Sequence, residues 1–150
     1  MGGTFEILHI GHERLLARAF HLGKFVFIGV SGDSLVPSLQ KSHKVRPFTS
    51  RRRDLRKFLE AHGWGERAKI VELKESFGPA ARRRSLSALV VSQVTKRSGL
   101  EVNSIRRTRG LPPLKISVVR MARGKDGKII STTRIRRGEI DAQGTTIQLG

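Results

Sequence analysis

Cysteine is absent from these 150 residues, and with it go disulfides, thiolate metal ligands and cysteine nucleophiles. Tyrosine is absent too, and one tryptophan stands beside seven phenylalanines, several of them in core patterns. An aromatic platform for stacking single-stranded bases is therefore poorly supplied. No apolar stretch approaches the roughly 20 residues of a membrane-spanning helix. The opening Met-Gly-Gly-Thr-Phe-Glu has neither a charged leader nor an apolar h-region, so the expectation is a soluble cytoplasmic protein without a secretory signal. Acidic residues are scarce: 12 Asp and Glu face 30 Lys and Arg, leaving a formal charge of +18.

That charge attracts polyanions by steering and counterion release. The arginines cluster at 51–53, 82–84, 106/107/109 and 134/136/137. Small phosphorylated substrates could satisfy only part of this field, and most of the excess reads as a solvated basic surface. Apolar residues make up 37% of the chain, which is ordinary for a globular protein. The length fits one domain over 1–150, with a loose tail from about 141.

Four short apolar runs, at 25–30, 69–73, 88–91 and 116–119, are rich in β-branched residues and continuous rather than alternating. Strands buried on both faces of a parallel sheet have this character. Helical patterns lie between them. Residues 11–22 place Leu15, Leu16, Ala19 and Phe20 on one face; residues 50–62 do the same with Leu55, Phe58 and Leu59, opening on a Thr/Ser cap and closing at Gly63. A third helix is expected at 101–109, ended by Gly110 and Pro112-Pro113. Strands alternating with helices predict a doubly wound, Rossmann-like α/β fold, in which ligands bind at the carboxyl ends of the strands.

Two motifs lie in loops of that kind. Gly2-Gly3-Thr4-Phe5-Glu6-Ile7-Leu8-His9-Ile10-Gly11-His12 runs into the first helix. Glycines let backbone N–H groups approach a phosphate, and the helix N-terminus adds partial positive charge. His9 and His12 could then face one phosphate. The second motif, Ser131-Thr132-Thr133-Arg134-Ile135-Arg136, offers three hydroxyls and backbone donors at a helix start, with Arg136 available for a charge-assisted contact. A bare Ser-Thr-Thr run is usually an N-cap; its weight comes from following the first motif by more than a hundred residues.

Together these segments resemble the HxGH nucleotidylyltransferases. The stretches Val90-Val91-Ser92-Gln93-Val94-Thr95, Asn103 to Leu114 and Asp126 to Asp141 are similar to the archaeal and eukaryotic type of pantetheine-phosphate adenylyltransferase. Glu6 stands where that family usually has Asp, and Thr132 where it usually has Ser, each keeping its functional group. Gln93 replaces a usual Glu, and Arg51 and Arg52 stand where acidic residues are common before Arg53.

The resemblance implies transfer of AMP from ATP to 4′-phosphopantetheine. It implies His9 and His12 at the α-phosphate and leaving pyrophosphate, and Thr4 at the reacting phosphate. Gly3, Phe5 and Gly11 are expected to line the nucleotide and substrate side. Ser131, Thr132, Thr133 and Arg136 are expected to hold the β- and γ-phosphates. Lys44 resembles a loop lysine that assists transfer, with Lys41 as its competitor. Ser92, Asn103 and Arg106 are weaker substrate-side candidates. Mg²⁺ is expected to arrive on the ATP phosphates without a dedicated protein cage. Nicotinamide or flavin mononucleotide is the alternative acceptor, and a basic nucleic-acid-binding protein on an inactive scaffold is the alternative class.

A glycine-rich phosphate loop normally follows a strand that aims it. Here Met1 directly precedes Gly2-Gly3-Thr4. The expectation is an upstream continuation of about five or more apolar residues, and a gap or shortened strand between the halves of the sheet.

Overall fold

In the computed structural model, which describes residues 1–39 and 44–148, five parallel strands alternate with helices. They are β1 (Gly2–Gly3), β2 (Val26–Ser31), β3 (Ala68–Leu73), β4 (Ala88–Ser92) and β5 (Lys115–Val119). The helices are α1 (Ile10–Leu22), α2 (Phe48–Ala61), α3 (Lys96–Thr108) and the short α4 (Thr132–Arg136). All four apolar runs are strands within one or two residues of their expected bounds.

The expected short strand and gap are both present. Among the described residues β1 pairs only with β2, through Gly2 opposite Gly29 and Gly3 opposite Val30. β2 pairs with β3 over six residues, while β4 and β5 form a separate two-stranded sheet. A cavity of about 670 Å³ lies between the halves, lined by Met1, Gly2, Phe27, Val71, Leu89 and Val91 among others. The halves are held together across it by α1, whose Leu16, Ala19 and Phe20 share one core with Ile28 and Val30 of β2 and Val90 of β4.

Three boundary expectations are corrected. α2 starts at Phe48 with Pro47 as N-cap, so Thr49 and Ser50 lie inside the helix. Its first N–H is satisfied from another segment, Phe48 N donating to Asp33 Oδ1 at 2.8 Å. It does end before Gly63, whose φ of +72° suits glycine. α3 begins at Lys96 rather than 101. Its first turn, Lys96-Arg97-Ser98-Gly99, has no large apolar residue, so periodicity carries no signal there. The stretch after 140 is hydrogen-bonded through 147 rather than loose. Asp141 N donates to Thr145 O at 2.9 Å, Ile147 N to Glu139 O at 3.1 Å and Lys125 N to Gly144 O at 3.0 Å.

A second, smaller core forms from Ala122, Ile130 and Ile140, with Ile10 and Ile135 packed on it. Ile10 is the first residue of α1 and Ile135 lies in α4. This cluster therefore seats the second motif against the first.

Candidate active site

Between β1 and α1 the chain makes a tight turn in which Phe5 has φ of +53° and is 2% exposed. A bulky residue in the left-handed region is strained and persists only where its surroundings hold it. Phe5 belongs to the core cluster and lies 5.1 Å, ring to ring, from His12. Its expected substrate contact is corrected: its side chain supports the loop from beneath.

His9 is the N-cap of α1 and His12 its third residue. His9 Nδ1 accepts from Gly11 N at 3.1 Å, and His12 Nδ1 accepts from His9 N at 3.3 Å. This reciprocal pair is a capping box built from two imidazoles instead of a hydroxyl and a carboxylate. It also determines the tautomers: an Nδ1 that accepts must be unprotonated, so each neutral ring carries its proton on Nε2. The rings are 4.0 Å apart. The site thus holds two imidazoles that each turn Nδ1 to the backbone.

Burial pushes the His9 pKa down to about 4 from its ordinary 6.5. The unfolded chain takes up this proton first as pH falls, so the contribution to stability is complete above 6.5 and is lost on descending towards 4. The Tm of the wild type should fall between pH 6.5 and 5 more steeply than that of His9→Gln. Parallel slopes across that window would refute it.

Gly11 is required by close approach. A Cβ there would lie 2.8 Å from the His9 ring. Gly11→Ala should therefore displace His9 and lower kcat about tenfold or more, although alanine favours the helix by up to about 1 kcal/mol. The loss of the His9 cap offsets that gain, so kcat is expected to fall with little change in Tm; unchanged kcat would show that the position of His9 is immaterial.

Glu6, 3% exposed, is the carboxylate at the centre of the site. It accepts from Arg46 N at 2.9 Å, from Arg46 Nε at 3.1 Å and from Arg136 Nη1 at 3.3 Å. Arg46 Nη1 also donates to Asp54 Oδ2 at 2.7 Å. That bond chiefly holds the Asp54 carboxyl below its ordinary range. Arg136 Nη2 donates to Lys44 O at 3.3 Å, so the Lys44–Arg46 stretch is tied to both motifs. Lys41 lies outside the described residues. In α4, Ser131 is the N-cap, its Oγ accepting from Arg134 N at 3.3 Å, and Thr132 and Thr133 form the first turn. Arg134 is engaged instead by Asp126 and Glu139.

Thr4, Glu6, His9, His12, Lys44, Ser131 to Thr133 and Arg136 are thus brought onto adjoining segments. Two candidates are not. Asn103 is spent on the backbone of Leu114, donating to its carbonyl at 2.9 Å and accepting from its N–H at 2.7 Å. Arg106 is fully buried and donates to the carbonyls of Ala80, Arg83 and Pro112. Both are corrected from substrate contacts to ties between α3 and the loops that flank it. Ser92, 7% exposed, exchanges hydrogen bonds with Thr95 in the turn after β4.

Arg46, Arg51 and Asp54 are not among the site residues that the motifs single out. Arg51 lies on the same helical stripe as Leu55 and Leu59, and all three are 0% exposed. An arginine at a core position of an amphipathic helix was the available signal. It was obscured because Arg51-Arg52-Arg53 reads as a solvated basic run.

A cytidylyltransferase-like sequence profile matches residues 1–138. A phosphopantetheine adenylyltransferase of Pyrococcus abyssi is 40% identical over 148 residues, covering 99% of this chain and 94% of the relative. Another, of Methanopyrus kandleri, is 45% identical over 118 residues, covering 79% of this chain and 74% of its own. Among solved structures, a protein of unknown function from Archaeoglobus fulgidus matches with a TM-score of 0.68 at 28% identity, covering 80% of this chain and 95% of that one.

Proposed function

The chain belongs to the cytidylyltransferase-like family, together with the archaeal phosphopantetheine adenylyltransferases, and on that premise we propose that it transfers AMP from ATP to 4′-phosphopantetheine. The products are dephospho-coenzyme A and pyrophosphate. The observation that carries the reading is the joining of the two motifs, Arg136 meeting Glu6 across 130 positions at 3.3 Å.

The reaction asks little of the protein by way of acid and base. A phosphate monoester has a second pKa of about 6 and is mostly dianionic at neutral pH, so it attacks the α-phosphorus without a general base. The work is to hold two anions in line and to absorb charge that grows on the α- and β-phosphate oxygens. The Nε2–H groups of His9 and His12 serve the α-phosphate and the leaving pyrophosphate. Thr4 receives the attacking phosphate. Ser131, Thr132, Thr133 and Arg136 hold the β- and γ-phosphates, and Lys44 reaches the transferring group from its own segment. Arg136 exchanges its ground-state partner, Glu6, for the triphosphate.

Among the described residues no group of three or more His, Asp or Glu gathers into a metal cage, and Glu6 is already held by two arginines. Mg²⁺ fits this site as a companion of the ATP phosphates, where it would neutralise their charge. No described helix is long and apolar enough to cross a membrane.

Incubation with ATP and each acceptor separately, with pyrophosphate release followed, tests the assignment. Turnover with 4′-phosphopantetheine is expected. Turnover with nicotinamide or flavin mononucleotide alone overturns it, as does salt-resistant nucleic-acid binding without any turnover.

A further inference from the structure

Arg51 is 0% exposed, yet it carries five N–H donors into the interior. Nε donates to Arg46 O at 2.8 Å; Nη1 donates to Thr4 O at 2.9 Å and Ser31 O at 2.7 Å; Nη2 donates to Asp33 Oδ1 at 3.1 Å. Three of the four acceptors are backbone carbonyls, and the one carboxylate, Asp33, has a side chain 63% exposed. Desolvating a guanidinium is costly, and well-packed apolar residues often do as well or better for stability alone. Its contacts therefore say more than its burial does.

Each carbonyl belongs to a different segment of the site. Thr4 lies in the phosphate loop. Ser31 ends β2. Arg46 holds Glu6 and lies two residues from Lys44. The Thr4 carbonyl also belongs to the peptide that immediately precedes Phe5, the described non-glycine residue with positive φ. The rigid planar fork thus fixes the strained peptide from behind and spaces it from the Lys44–Arg46 stretch. A lysine ammonium on a flexible stem could not hold the same acceptors in one plane.

We propose that Arg51 is a positioning residue for the transfer reaction, setting the Thr4 loop in register with the Lys44 segment. The inference rests on the adenylyl-transfer reading. It assigns the fork an effect on turnover beyond its effect on folding.

The test measures kcat, KM for both substrates, equilibrium ATP affinity and Tm for Arg51→Lys and Arg51→Met. A misplacement of about 1 Å costs on the order of a hundredfold in rate. Both variants are therefore expected to lose about a hundredfold in kcat while ATP affinity stays within about threefold. Folded Arg51→Met with kcat within about threefold of wild type overturns the proposal, as does a loss of ATP affinity that accounts for the whole rate effect. Should neither variant fold, Asp33→Ala decides, because its side chain is largely exposed and releases only Nη2 and the Phe48 N–H. A fivefold or greater fall in kcat with ATP affinity kept supports the proposal, and wild-type kcat overturns it. Wild-type protein that turns over no acceptor removes the adenylyl-transfer reading and this inference together. That result is distinct from active wild type beside unaffected variants.

Discussion

Replacing His12 with alanine is expected to lower kcat by about 10²–10³-fold while KM for ATP stays within a few-fold. In the proposed role the imidazole Nε2–H donates to an oxygen whose charge grows as the α–β bond breaks, so most of its benefit would appear in the transition state. The fold should survive. Alanine is a good helix former, and the lost acceptor for His9 N at 3.3 Å is a capping contact worth about 0.5–2 kcal/mol. Some of the rate loss will come through His9, because the cap that orients its ring is half dismantled. Steady-state kinetics with thermal melts separate the cases. A folded variant with kcat within about threefold of wild type would remove His12 from the mechanism.

Arg136→Ala should act mainly on binding. The polyphosphate is anionic in ground and transition states alike, so a guanidinium that holds it contributes to both and its loss raises KM. A hydrogen bond to a charged group is worth about 1.5–3 kcal/mol, or roughly ten- to a hundredfold in KM for ATP. A smaller fall in kcat is expected as well, because Arg136 also donates to Lys44 O and Glu6. The neighbouring Arg134 provides the contrast. It is committed to Asp126 and Glu139, so Arg134→Ala should leave KM for ATP unchanged. If Arg136→Ala also leaves it unchanged, the hydroxyl run is a helix cap and nothing more.

The alternating strands and helices, the two motifs and the helix-starting position of His9 and Ser131 were all legible in the residues. Each rests on a local property: apolar periodicity, glycine at a phosphate loop, hydroxyls at an N-cap.

What tertiary structure decided was the partner of each polar group. Asn103 and Arg106 carry the side chains of a substrate site, but the carbonyls of loops 80–83 and 112–114 reach them first. Arg51 carries the side chain of a solvated surface, and the carbonyls of Thr4, Ser31 and Arg46 converge on it. Phe5 sits within the glycine-rich first motif, and the core takes it. A guanidinium or an amide satisfies its hydrogen bonds with whichever acceptors are within about 3 Å. Those acceptors are set by which segments the fold makes adjacent, 20 to 47 positions apart for the ties of Arg51 to β2 and the phosphate loop. Sequence alone determined the elements and the chemistry available to them, because both are carried by near neighbours in the chain. Which polar groups face substrate and which hold the scaffold was decided only when distant backbone competed for them.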